Sequence, residues 1–140
     1  MELGDVGDDR MDAWGETYLE KARESLAGAR SELERGRYSN AATRSYYAAF
    51  QAAIHAIVGA GIKPPGKGDT WDHGWVQGQF VGLLINRRHL YGTDLRAILS
   101  ENYELRVRAD YTMRAVSQIL ATRALQRAER FVNARVQREG

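Results

Sequence analysis

The stretch ENYELRVRADYTMR, residues 101–114, puts Arg106, Arg108, Asp110 and Tyr111 within six positions. An arginine offers a planar fork of donors that matches phosphate or carboxylate. A neighbouring aromatic ring offers a face on which a base can stack. Together they suit a phosphorylated ligand. The same residue types also suit a helix junction. Cations in a last turn meet unpaired carbonyls, and Asp110 fits the N-cap of a following helix that would start with Tyr111. Spacing alone leaves both readings open.

A second aromatic group lies upstream in RSYYAAF, residues 44–50. At helical spacing Tyr46 and Phe50 share the apolar face, and Tyr47 lies about 100° round at its edge, with Arg44 roughly 60° further. At that edge the Tyr47 ring can pack while its hydroxyl reaches polar groups. Three histidines, His55, His73 and His89, complete the candidates. No pair has metal-ligand spacing, so neither metal nor cofactor is expected. His55 falls in line with Arg44 and Gln51 on the polar side of its helix. His73, between Trp71 and Trp75, suits a packed cap or a ligand-orienting ring. No GxSxG elbow occurs, and GKGDT, residues 66–70, lacks the full phosphate-loop pattern.

The elements that must position these residues read as helices. Of 140 residues 44% are hydrophobic and 27% charged, which suits one soluble domain with one core. An acidic, flexible segment is expected over 1–12 and a single helical domain over 13–138. Tyr18, Ala22, Leu26, Ala29 and Leu33 form one stripe of a helix over about 11–35. A second helix, about 39–59, buries Tyr46, Phe50, Ala53, Ile54 and Ile57, and its many alanines invite a close neighbour. Gly59, Gly61 and Pro64-Pro65 break the chain. Asp69 or Thr70 then caps a third helix through WDHGWVQGQFVGLLIN. Thr93 caps a fourth, about 93–107, with Leu95, Ile98, Leu99 and Leu105 inward. A fifth runs from about 111 to 137, with Arg123, Arg127 and Arg130 in a ridge beside its apolar arc. The fold class expected is all-α, an up-and-down bundle of four or five helices.

Cysteine is absent, which excludes disulfides and thiolate sites. No apolar run suits a membrane span and the N-terminus has no signal-peptide core, so a cytoplasmic protein is expected. Charge is uneven. Residues 1–35 hold five Lys/Arg and ten Asp/Glu, whereas residues 106–140 hold eight and three. The basic final third suits phosphates or an acidic partner, or pairing with the acidic first helix.

RSYYAAFQAAIHAIV followed by ELRVRADY resembles the HEPN superfamily of small helical proteins, in a largely uncharacterised branch with an R-x-x-Y-Y-A-x-F helix and an R-x-x-A-D-Y junction. The resemblance covers roughly residues 15–135. It implies a bundle of four or five helices, a homodimer, and nucleotide or nucleic-acid work, often beside a minimal nucleotidyltransferase in a toxin–antitoxin-like pair. Other members are metal-independent ribonucleases with an arginine, four residues, then a histidine. Arg106 matches that arginine, but Tyr111 stands where the histidine belongs. With a reference pKa near 10, tyrosine is a poor base at neutral pH. The resemblance therefore points to binding, with Arg106, Asp110, Tyr111, Arg44, Tyr47 and His73 as site residues. A divergent endoribonuclease using Tyr111, His73 or His55, and a structural dimer without ligand, are the alternatives.

Overall fold

The computed structural model describes residues 3–64 and 71–139, with side chains described from Thr17 onward. Five α-helices appear, and no strand among the described residues: α1 (Leu3–Glu34), α2 (Tyr38–Gly59), α3 (His73–Gln79), α4 (Ile98–Tyr111) and α5 (Gln118–Glu139). α3 runs on as a π-helix, Phe80–Arg87, and a 3₁₀ turn, Thr93–Leu95, precedes α4. The all-α bundle read from the sequence is the fold observed.

α1 and α2 form the antiparallel hairpin that anchors the rest. Gly36 reverses the chain at φ +75°, where the Arg37 N–H returns to the Glu32 carbonyl at 2.9 Å. Ala22, Leu26 and Ala29 of α1 are buried against the alanine face of α2, where Ala41, Ala42, Ala48, Ala49, Ala52 and Ala53 are wholly covered. Side chains this small let the backbones approach closely. α2 is the central helix and touches α1, α4 and α5. The large core groups, Ile54, Ile57, Phe80, Leu84, Leu99 and Phe131, meet around it, with the Phe80 and Phe131 rings 4.6 Å apart.

α2 ends as expected: Gly61 takes φ +80° and the Ile62 N–H closes on the Ile57 carbonyl at 3.2 Å. Asp69 and Thr70 lie outside the described residues. The cap of α3 is Asp72, whose Oδ2 accepts from the Trp75 N–H at 2.9 Å. Thr93 opens the 3₁₀ turn rather than capping α4, which starts from Ala97 without a side-chain cap.

The largest correction falls on the stretch 101–114. The helix does not stop at 107 and restart at 111. α4 continues through RVRADY to Tyr111, and α5 begins at Gln118. Asp110 is not the cap of α5. It is satisfied within the bundle, accepting from the Thr43 hydroxyl of α2 at 3.1 Å and facing Arg106 one turn back. Ser117 caps α5 instead, its Oγ accepting from the Leu120 N–H at 3.2 Å. His55 is a second correction. It is buried, not on a polar face, and is held between Arg135 and Glu139 of α5. Among the described residues the ion pair between α1 and α5 joins Arg30 of α1 to Glu129 of α5 at 3.1 Å; most of the acidic residues of α1 lie outside the described side chains. No described helix is long and apolar enough to cross a membrane.

Candidate ligand-binding site

Residues two apart on a helix point about 200° apart. Arg106 and Arg108 therefore leave α4 on opposite sides, and it is Arg106 that faces α2. Its guanidinium carbon lies 5.4 Å from the ring centroid of Tyr46 and 5.4 Å from that of Tyr47. Both distances are in cation–π range. Asp110 Oδ2 stands 3.4 Å from Arg106 Nε, on the next turn of the same helix. That pair is an ion pair without hydrogen-bond alignment, because the buried Nε–H has no hydrogen-bond partner. Thr43 fixes the other carboxylate oxygen. Two rings and one carboxylate thus hold the arginine fork in place.

Behind the fork lies an aromatic group. The Tyr46 hydroxyl is 2.9 Å from His73 Nδ1. The His73 ring stacks on Tyr103 with centroids 3.9 Å apart, and Tyr46 stacks on Phe50 at 5.5 Å. Burial, outweighing the nearby Arg106 charge, pushes the Tyr46 hydroxyl well above the ordinary tyrosine range, so it keeps its proton. Burial lowers His73 below its usual value, and Arg106 adds to this. Gln77 and Asp72 pull the other way without winning. The direction of this bond follows the imidazole tautomer: with the ring proton on Nε2, Tyr46 donates to Nδ1, and with it on Nδ1 the phenol oxygen accepts.

Tyr47 joins this group to a second surface. With Arg44, Thr43, Asn40, Ser25 and Gln51 it lines a groove of about 500 Å³ along the α1–α2 face. Arg44 is exposed there and lies along Gly28 of α1, its Cδ 3.5 Å from where a Cβ would stand. Arg44 precedes Tyr46 by two residues, one fewer than the R-x-x-Y-Y pattern has.

Of the residues proposed from the sequence, Arg106, Asp110, Tyr47 and His73 are brought together around Tyr46. Arg44 lines the same groove as Tyr47 and shows no described contact with Arg106. Tyr111 is not drawn in: it ends α4 with 72% of its surface exposed. Sequence reasoning assigned Tyr46 to the core alone and passed over Thr43 and Tyr103. The signal for Tyr103 was its position three residues before Arg106, on the same face of α4. Among the described residues no group of His, Asp and Glu is arranged to hold a metal ion.

A profile of the HEPN domain matches residues 16–139. The chain belongs to the HEPN family. It is also similar to "Putative toxin MJ0605" of Methanocaldococcus jannaschii, 28% identical over 121 residues, which span 84% of this chain and 83% of that protein. Tyr111, five residues after Arg106, is exposed and makes no described contact with it.

Proposed function

We propose that this HEPN domain binds a nucleotide or nucleic acid through Arg106 and acts as the toxin-like half of a two-protein system. A homodimer and a minimal nucleotidyltransferase are its expected partners in the cytoplasm. The observation that carries the reading is the guanidinium of Arg106 set against Tyr46 and Tyr47, with Asp110 behind it and Nε without a hydrogen-bond acceptor. Such a fork suits a phosphate oxygen. The likeness to a protein named as a toxin supports the biological setting. Tyr47 and Arg44 would extend the contact along the α1–α2 groove, with His73 orienting Tyr46 from behind and Tyr111 at the exposed end of α4.

A second reading, a metal-independent endoribonuclease, is favoured by one arrangement. Tyr46 links a neutral histidine, His73, to the arginine, which is an acid–base group near a phosphate-binding one.

Arg106→Ala tests the binding reading when affinity for ATP and for a single-stranded RNA is measured on the same sample as the melting temperature. Loss of a charge-assisted contact of about 1.5–3 kcal/mol weakens binding roughly tenfold or more. A lower melting temperature with unchanged affinity for both ligands makes Arg106 a structural residue and ends this reading.

A further inference from the structure

The opposite side of α4 carries its own feature. A groove of about 560 Å³ runs between α4 and α5. Its charged lining is Arg108, Arg114, Arg123 and Arg127 with Glu101 and Glu104. Arg114 and Arg123 are exposed, and among the described residues neither side chain has an ion pair or hydrogen bond. Arg108 is tied by one Nη2 bond to the Ala115 carbonyl at 2.8 Å, while its Nε is buried without an acceptor. Glu101 is taken up by Arg127, 3.6 Å away. Glu104 also lines the groove, so three guanidinium groups share it with one free carboxylate, and among the described residues none of the three is ion-paired. A buried N–H with no acceptor carries a desolvation cost that a strong acceptor would relieve.

Beside this groove the chain exposes apolar surface. Tyr111 is 72% exposed and Met113 is fully exposed. Both flank Thr112, which lines the groove.

We propose that the α4–α5 groove binds the sugar–phosphate backbone of a single-stranded polynucleotide through Arg108, Arg114 and Arg123, with Tyr111 as a stacking surface for a base at its rim. This deepens the reading of Arg106 as a phosphate ligand and rests on it: the strand passes over the end of α4 from one cationic face to the other. A helix with its side chains is about 10 Å across, more than the phosphate group of one nucleotide spans, so phosphate contacts on both faces call for consecutive nucleotides of a strand. A single strand supplies consecutive phosphates for the arginines and unpaired bases for the tyrosine, whereas a duplex keeps its bases stacked inside. An acidic protein segment would use the arginines but has no need of a lone exposed ring.

The test is fluorescence anisotropy with a ten-nucleotide RNA, a DNA of the same sequence, a polyglutamate peptide and a labelled ATP. The proteins are wild type, Arg114→Ala/Arg123→Ala, Tyr111→Ala and Tyr111→Phe. The double variant touches only exposed, unpaired side chains, so its fold is kept, and circular dichroism checks this. It should bind the oligonucleotides at least about tenfold more weakly. The slope of log affinity against log salt should shrink by about 1.4, for two lost phosphate contacts on a single strand. ATP binding should not change. Tyr111→Ala should lose about fivefold or more and Tyr111→Phe almost nothing. RNA affinity and salt slope unchanged in the double variant overturn the groove. So does wild-type protein that binds no oligonucleotide, or a double variant that loses polyglutamate but keeps RNA. In each case ATP titrated against wild type and Arg106→Ala reports separately whether the Arg106 site stands.

Discussion

Arg106 and Arg108 stand two residues apart on α4 and serve different neighbours. Arg106 lies against Tyr46 and Tyr47 of α2, and Arg108 reaches the Ala115 carbonyl on the α5 side. One helix thus gives the protein two cationic faces, and the helical period alone separates them.

Arg106→Lys separates charge from shape. Lysine keeps the cation near the rings but loses the planar fork. Binding should fall about three- to tenfold, with melting temperature lowered less than in Arg106→Ala. Wild-type affinity in the lysine variant would show that only charge matters at this position.

Asn102 is wholly buried. It donates to the Ala124 carbonyl at 3.2 Å and accepts from Arg127 Nε at 2.8 Å. Asn102→Leu removes the acceptor of a half-buried cation, so the loss should be about 2–4 kcal/mol in urea unfolding. The variant Arg127→Met together with Asn102→Leu should recover part of it. A single variant as stable as wild type would mean that Arg127 simply turns to water.

Gly59 makes room for Arg135. A Cβ at Gly59 would lie 2.7 Å from Arg135 Nη2. Arg135 cannot step aside freely, because its Nε donates to His55 Nδ1 at 2.7 Å and its Nη1 to the Tyr91 hydroxyl at 3.0 Å. Gly-to-Ala near the end of a helix ordinarily gains up to about 1 kcal/mol. Here Gly59→Ala should instead lower the melting temperature. A rise would show that the Arg135 contacts yield at no cost.

Acid should destabilise the fold through two histidines. Burial lowers His55, and Arg135 and Arg23 add to this while Glu139 opposes it. With Arg135 donating to Nδ1, neutral His55 offers its Nε2–H to Glu139, 2.9 Å away. His73 is lowered by burial and Arg106, against Gln77 and Asp72. The unfolded chain takes up these protons near 6.5, and the folded chain only at lower pH. Stability is therefore full above about pH 7.5 and falls as pH drops through 6.5, by at most about 1.4 kcal/mol per pH unit for each histidine. Urea unfolding from pH 7.5 to 5 checks this, and His55→Gln and His73→Gln should each flatten the curve. An unchanged slope in both variants would place the protons elsewhere.

The sequence by itself determined the helical bundle, most of the core and the glycine turns. These depend on local spacing: the α1 stripe, the alanine face of α2, and Gly36 and Gly61 at positive φ each follow from residues within a few turns of one another. Arg106, Asp110 and Tyr47 were also legible as a set. Only the tertiary structure decided where RVRADY ends. As a local cap Asp110 would have stopped the helix, but Thr43, 67 positions away, supplies a hydroxyl 3.1 Å from it, and α4 runs on to Tyr111. The same holds for His55, whose polar side chain hid the fact that Arg135, 80 positions on, would cover it. Tyr111 too was placed by packing, at an exposed helix end rather than beside Arg106. Helical periodicity fixes which residues share a face, because that is set within a few bonds. Which face another helix covers is set by contacts between residues far apart in the chain, and no short window of sequence contains them.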